Sequence, residues 1–150
     1  MDLVNTDLRQ AITARQVVDG LEAELATLPQ ANCPLVHRFT PGLYVREIFM
    51  PRGTFIISKV HKTEHPYTIS KGRVAVWTEA EGVIHLTAPF TGITKPGTRR
   101  LLFIQEDCIW TTYHPTTETD LDKIEEAIID PKPALPLRAE TVKALLEVSV

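Results

Sequence analysis

The sequence predicts a mainly β protein, a single small antiparallel jelly-roll barrel with a helix before it and helices after it. Three observations lead there. After a proline-bearing stretch at 29–41, the hydrophobic period switches from helical to two. Short runs rich in Val, Ile, Thr and aromatic residues then recur at nearly regular spacing, separated by turn residues. No long helical period falls between them, which argues against a parallel sheet.

Before the switch, Leu8, Ile12, Val18, Leu21, Leu25 and Leu28 form one stripe, with Asn5 or Thr6 as N-cap and Pro29 as the stop. Arg15 and Gly20 interrupt any coiled-coil seam, so the helix is expected to lie on its own domain rather than on a partner. The strand candidates are LYVREIFM (43–50), GTFIISKVH (53–61), PYTIS (66–70), RVAVWTE (73–79), GVIHLTA (82–88), RRLLFIQ (99–105) and CIWTTYH (108–114). Turns are expected at Pro51-Arg52-Gly53, Lys71-Gly72, Glu81-Gly82, Thr91-Gly92, Pro96-Gly97 and Glu106-Asp107. Helical spacing resumes at Leu121, Ile124 and Ile128, with Thr119 and Asp122 set as a capping box. Pro131, Pro133 and Pro136 break the chain before a last short helix over ETVKALLEV. The organisation is therefore a helical segment at 1–30, a barrel at 38–116 and a helical tail at 117–150.

Composition excludes several function classes. With 43% apolar and 23% charged residues and a formal charge of −3, the chain reads as a globular domain without a basic run. Neither nucleic acid nor a membrane is expected as a partner, and the opening MDLVNTDLRQ is not expected to act as a signal peptide. A cytoplasmic location is expected by default. Cys33 and Cys108 match no zinc spacing, and Cys108, within an apolar run, is expected to be a buried thiol.

Four of the five histidines fall in the β region, and His37 precedes it. Alternation places Phe55, Ile57, Lys59 and His61 on one face, and His65, Tyr67 and Ile69 on one face of the next strand. The short connection makes these two strands antiparallel neighbours, so that His61 and His65 meet across the turn. Neutral imidazoles converging inside a barrel begin a site for Zn, Fe, Ni or Cu. His114, Glu64 and Glu106 are the candidates for a third donor, with His114 first because a neutral imidazole is cheaper to bury. The plain alternative is that these are half-exposed polar residues beside turns. His85 reads as a surface or edge residue, and His37 carries no signal.

At these positions the chain resembles the cupin superfamily. Its first motif sets a glycine, five residues, HxH, three or four residues, a glutamate, six residues and a second glycine; here Gly53, Lys59-Val60-His61, His65 and Gly72 occupy those places. Lys59 replaces the first histidine, and His65 replaces the glutamate. The second motif, PxGxxH, is echoed at 95–100 with Arg100 in the histidine position. The resemblance covers about residues 40–115 and implies the jelly-roll fold and a homo-oligomer. Of four usual ligand positions, only His61 keeps its residue. The block VREIFMPRGT with HKTEHPYTISKGRVAVW also resembles small cupin-like proteins of bacteriophages and prophages, which would imply a virion-associated location.

Three readings follow. A divalent metal (Zn, Fe, Mn or Ni) is held by His61, His65 and His114. Alternatively, Lys59 and Arg100 with a histidine form a metal-free pocket for a small anionic or sugar ligand. This resembles the sugar-nucleotide epimerases of the superfamily, where a histidine is the base and a tyrosine, here Tyr67 or Tyr113, donates a proton. In the third reading the barrel is a non-catalytic scaffold whose helical ends assemble subunits. Arg99 and Arg100 are adjacent, so one faces inward and the other outward.

Overall fold

The computed structural model describes residues 31–78 and 80–130. The helix expected over 5–28 and the last one over 140–148 lie outside those residues, as do the outer bounds of the helical segments. Within them the chain is a β-barrel, as the period of two predicts.

The strands are β1 (Leu35–Thr40), β2 (Leu43–Met50), β3 (Phe55–Ile57), β4 (Val60–His61), β5 (His65–Thr78), β6 (Gly82–Thr87), β7 (Phe90–Thr94), β8 (Leu101–Pro115) and β9 (Ile129–Asp130). One helix, α1 (Leu121–Ile128), precedes β9. The main sheet runs β1-β2-β8-β5-β6, with β3 also paired to β8 and β7 to β5; β4 pairs with β9 alone. Every pairing is antiparallel.

Three expectations about strand limits are corrected. The stretch at 29–41 is not all linker, because β1 forms there and pairs with β2 through a two-residue Pro41-Gly42 turn. Gly42, at φ 76°, takes the left-handed position that such a turn needs. β1 is an edge strand on which Leu35, Val36 and Phe39 remain 40–43% exposed. Thr91-Gly92 is no turn either, since both residues lie in β7.

The third correction matters most. Lys71-Gly72 and Glu106-Asp107 were expected to end strands, yet both lie inside the two longest ones, β5 and β8. Register shifts around Lys71 and Arg73 bend the pair there without breaking it. Gly72 has φ 98°, and a Cβ on it would stand 2.3 Å from the Asp107 carbonyl oxygen. Glycine and acidic residues thus mark a bulge where two backbones press together.

Along these strands lies the core. Met50, Tyr67, Ile69, Val74, Val76, Leu86, Leu102, Ile104, Cys108 and Trp110 form its main cluster. Ala75, Trp77 and Leu101 form a smaller cluster with Phe55 and Phe103. Both faces of β5 are therefore covered from Val74 to Thr78.

The run 53–61 does not form one strand. β3 pairs with β8, and the chain then leaves that sheet so that β4 can join β9. α1 anchors this departure: Asp120, not Thr119, caps it, its carboxylate accepting from the backbone N–H groups of Asp122 at 3.0 Å and Lys123 at 3.3 Å. Ile124 is buried, Lys62 N–H donates to the Ile128 carbonyl at 2.7 Å, and Lys62 Nζ donates to the Glu126 carbonyl at 3.0 Å. No helix among the described residues is long and apolar enough to cross a membrane.

Candidate functional site

At one end of β5 and β8 the barrel interior turns from apolar to polar. His65 opens β5 and His114 nearly closes β8; they are 1% and 2% exposed. β4, held by β9, brings His61 to the same place. Ring centroids lie 4.3 Å apart for His65 and His114, 4.7 Å for His61 and His65, and 6.2 Å for His61 and His114. The three histidines do converge, but by another route than the expected one. β4 and β5 are not paired neighbours, and the β4–β9 ladder directs the His61 ring inward.

Each ring keeps one nitrogen without a partner: His61 Nδ1, His65 Nε2 and His114 Nδ1. His65 donates Nδ1–H to the Thr63 carbonyl at 3.0 Å, which fixes its tautomer and leaves a lone pair on Nε2. His114 Nε2 lies 2.9 Å from Thr112 Oγ1, and the tautomer donating there leaves Nδ1 as the acceptor. Burial pushes His61 down to about 4 and His114 down to about 3, helped by the neighbouring imidazoles and, for His61, by Arg100. Burial also lowers His65, against the opposing pull of its Thr63 hydrogen bond. At neutral pH the cluster is therefore uncharged. No three His, Cys, Asp or Glu side chains among the described residues already stand at coordination spacing, so a shared ion would have to draw the rings together.

The other expected participants divide sharply. Arg100 faces inward at 9% exposure, with its guanidinium carbon 4.9 Å from the Tyr67 centroid and 5.6 Å from that of Trp110. Tyr67, buried beside that guanidinium, stacks on Trp110 at 4.6 Å. Lys59 corrects the expectation that it faces the cavity: its side chain is 65% exposed and ion-paired with Glu125. The break after β3 ends the alternation that would have put it beside His61. Glu64 pairs with Lys95 at the surface, and Glu106 lies 3.9 Å from Arg73 at the bulge, so neither reaches the histidines. Tyr113 faces away from His114, its hydroxyl 3.0 Å from Thr68 Oγ1. His85 is exposed. Cys108 is fully buried, and desolvation pushes its thiol up to about 11.

Sequence reasoning overlooked three neighbours. Tyr44 is buried and stacks on His114 at 5.7 Å, and its hydroxyl lies 2.6 Å from His37 Nδ1, which gives that histidine a structural role. Thr94, opposite His65 in the ladder, is 1% exposed with an unpartnered hydroxyl. Gly92 lies beneath Tyr67, where a Cβ would come within 2.6 Å of the phenol oxygen. Residue type alone distinguishes none of these from ordinary strand positions. A separate depression at the bulge, lined by Arg52, Lys71, Gly72, Glu106 and Asp107, contains none of the histidines.

Comparison with known proteins bears on the architecture. A cupin 2 domain-containing protein from Halorhodospira halophila superposes with a TM-score of 0.52 at 12% identity, covering 81% of each chain. An uncharacterized conserved protein with a double-stranded β-helix domain from Klebsiella pneumoniae gives 0.50 at 20% identity, covering 65% of this chain and 89% of its own. The barrel has the cupin jelly-roll fold. Neither neighbour is described as a bacteriophage protein, and at these identities the likeness is one of fold. No family model matches this chain, and no curated protein matches it.

Proposed function

We infer that this cupin-fold chain binds one divalent transition metal (Zn, Fe, Mn or Ni) through His61, His65 and His114. The reading is supported by three buried imidazole nitrogens left without partners, on rings whose centroids lie 4.3 to 6.2 Å apart. Such atoms are costly to leave unsatisfied, and a metal satisfies all three at once. The donors suit the role: they are neutral at pH 7, and His65 is oriented by its backbone bond to Thr63. Glu64 and Glu106 lie elsewhere, so the set is all-imidazole and leaves a position open to ligand. When bound, a metal of this class would polarise an oxygen of that ligand or of water.

The test uses the full chain, stripped with EDTA and titrated with zinc while metal content and heat are measured. One equivalent is expected, with His65→Ala weakening binding roughly a hundredfold or more. The reading fails if purified protein carries no stoichiometric metal and takes up none when Zn, Fe, Mn or Ni is added.

A further inference from the structure

Arg100 is a buried cation with no carboxylate at ion-pair distance among the described residues; Glu81 acts on it only from farther away. The four ion pairs among the described residues, Arg38–Glu47, Lys59–Glu125, Arg73–Glu106 and Lys95–Glu64, all lie on the surface and leave Arg100 out. Its backbone is fixed on both sides: its N–H donates to Ser58 Oγ at 2.8 Å, and Ser58 N–H donates to its carbonyl at 2.8 Å. Aromatic rings of Tyr67 and Trp110 hold the guanidinium in place. A guanidinium carries five N–H donors, so this environment leaves it under-used. Burying a charge without a counter-ion is expensive, and such a position persists where an anion completes it.

We propose that Arg100 receives the carboxylate of a small organic acid, held beside His61 and His65 against the Tyr67–Trp110 stack. The chemistry favours a carboxylate over a phosphate. One guanidinium matches one carboxylate through two parallel hydrogen bonds and balances a single charge. A phosphate group brings close to two negative charges, and the three histidines supply none to offset the second. At 9% exposure Arg100 admits only a small headgroup. Arg46 is no equivalent anchor: it is only half-buried, so water screens its charge. The inference rests on the barrel mouth being a ligand site, but it does not require the metal.

Calorimetric titrations of the full chain with acetate and pyruvate, against acetamide and inorganic phosphate, test it at constant ionic strength, both EDTA-treated and zinc-loaded. The carboxylates are expected to bind in the EDTA-treated protein and acetamide to stay silent. Arg100→Gln should weaken carboxylate binding roughly tenfold or more. If that variant does not fold, Arg100→Lys serves: it keeps the charge, loses the two-point contact and should bind several-fold more weakly. The inference is overturned if no carboxylate binds to either form, if acetamide matches acetate, if phosphate binds more tightly than both acids, or if the folded variant binds as the parent does. Zinc binding without carboxylate binding overturns this inference alone, whereas carboxylate binding without zinc supports it and counts against the metal reading.

Discussion

β5 and β8 run through two interiors of opposite character. Beyond the bulge, Val74 and Val76 on β5 meet Leu102 and Ile104 on β8, with side chains 0–6% exposed. On the other side, the same strands present His65, Tyr67, Thr112 and His114, also buried at 1–8% exposure but polar. The apolar half gains from burial and leaves only Trp77 Nε1 and Gln105 Oε1 without partners, whereas the histidine half leaves three imidazole nitrogens, gathered in one cluster, and the Thr94 hydroxyl. Stability alone would not favour that second arrangement, and this contrast is what supports the proposed site at the histidine end.

The largest expected effect comes from exchanging one buried residue in each half. Ile104→Ala should cost about 3 kcal/mol by leaving a cavity. His114→Leu should change stability by less than about 1 kcal/mol in the metal-free protein, because the lost Thr112 bond is offset by removing an unpaired Nδ1. Urea unfolding of both variants checks this, and an equal loss from the two would erase the distinction between the halves.

Next in size is the effect of pH. His61 and His114 are held near 4 and 3 when folded, against 6.5 for an unconstrained ring. Between those values the unfolded chain binds more protons, so stability is full above about pH 6.5 and declines as pH falls toward 4. The decline belongs to the metal-free protein, in which both rings are free to take up a proton. The double variant His61→Gln/His114→Gln should flatten it, as read from urea midpoints across that window. A slope identical to the parent's would mean that the rings are not buried neutral.

The smallest effect lies outside both halves. Lys59→Met removes an ion pair whose side chains are 65% and 51% exposed, and should cost no more than about 0.5 kcal/mol. It should also leave zinc affinity unchanged, sharpening the boundary between the interior set and its surroundings. A marked loss of zinc binding would return Lys59 to the site.

Much of this was legible beforehand. Alternation at Trp110, Thr112 and His114 was enough to put that histidine inside, and the spacing from Gly53 to Gly72 was enough to suggest the cupin barrel. Gly72 itself was read as a turn, because glycine beside a lysine signals a reversal and a bulge equally well. Thr119 was read as the cap in place of Asp120, since adjacent residues both carry oxygens suited to that role.

Local sequence, then, determined most of the strand-forming segments, the alternation on them, and that His61, His65 and His114 are of a ligating type. Tertiary structure decided how they meet. Periodicity records the face of a strand but not its partner, and only the departure of β4 to β9 turns His61 inward while sending Lys59 to Glu125. It likewise decided that Arg100 is buried with no carboxylate at ion-pair distance among the described residues, because a counter-charge depends on what the whole fold brings near and leaves no mark on neighbouring residues.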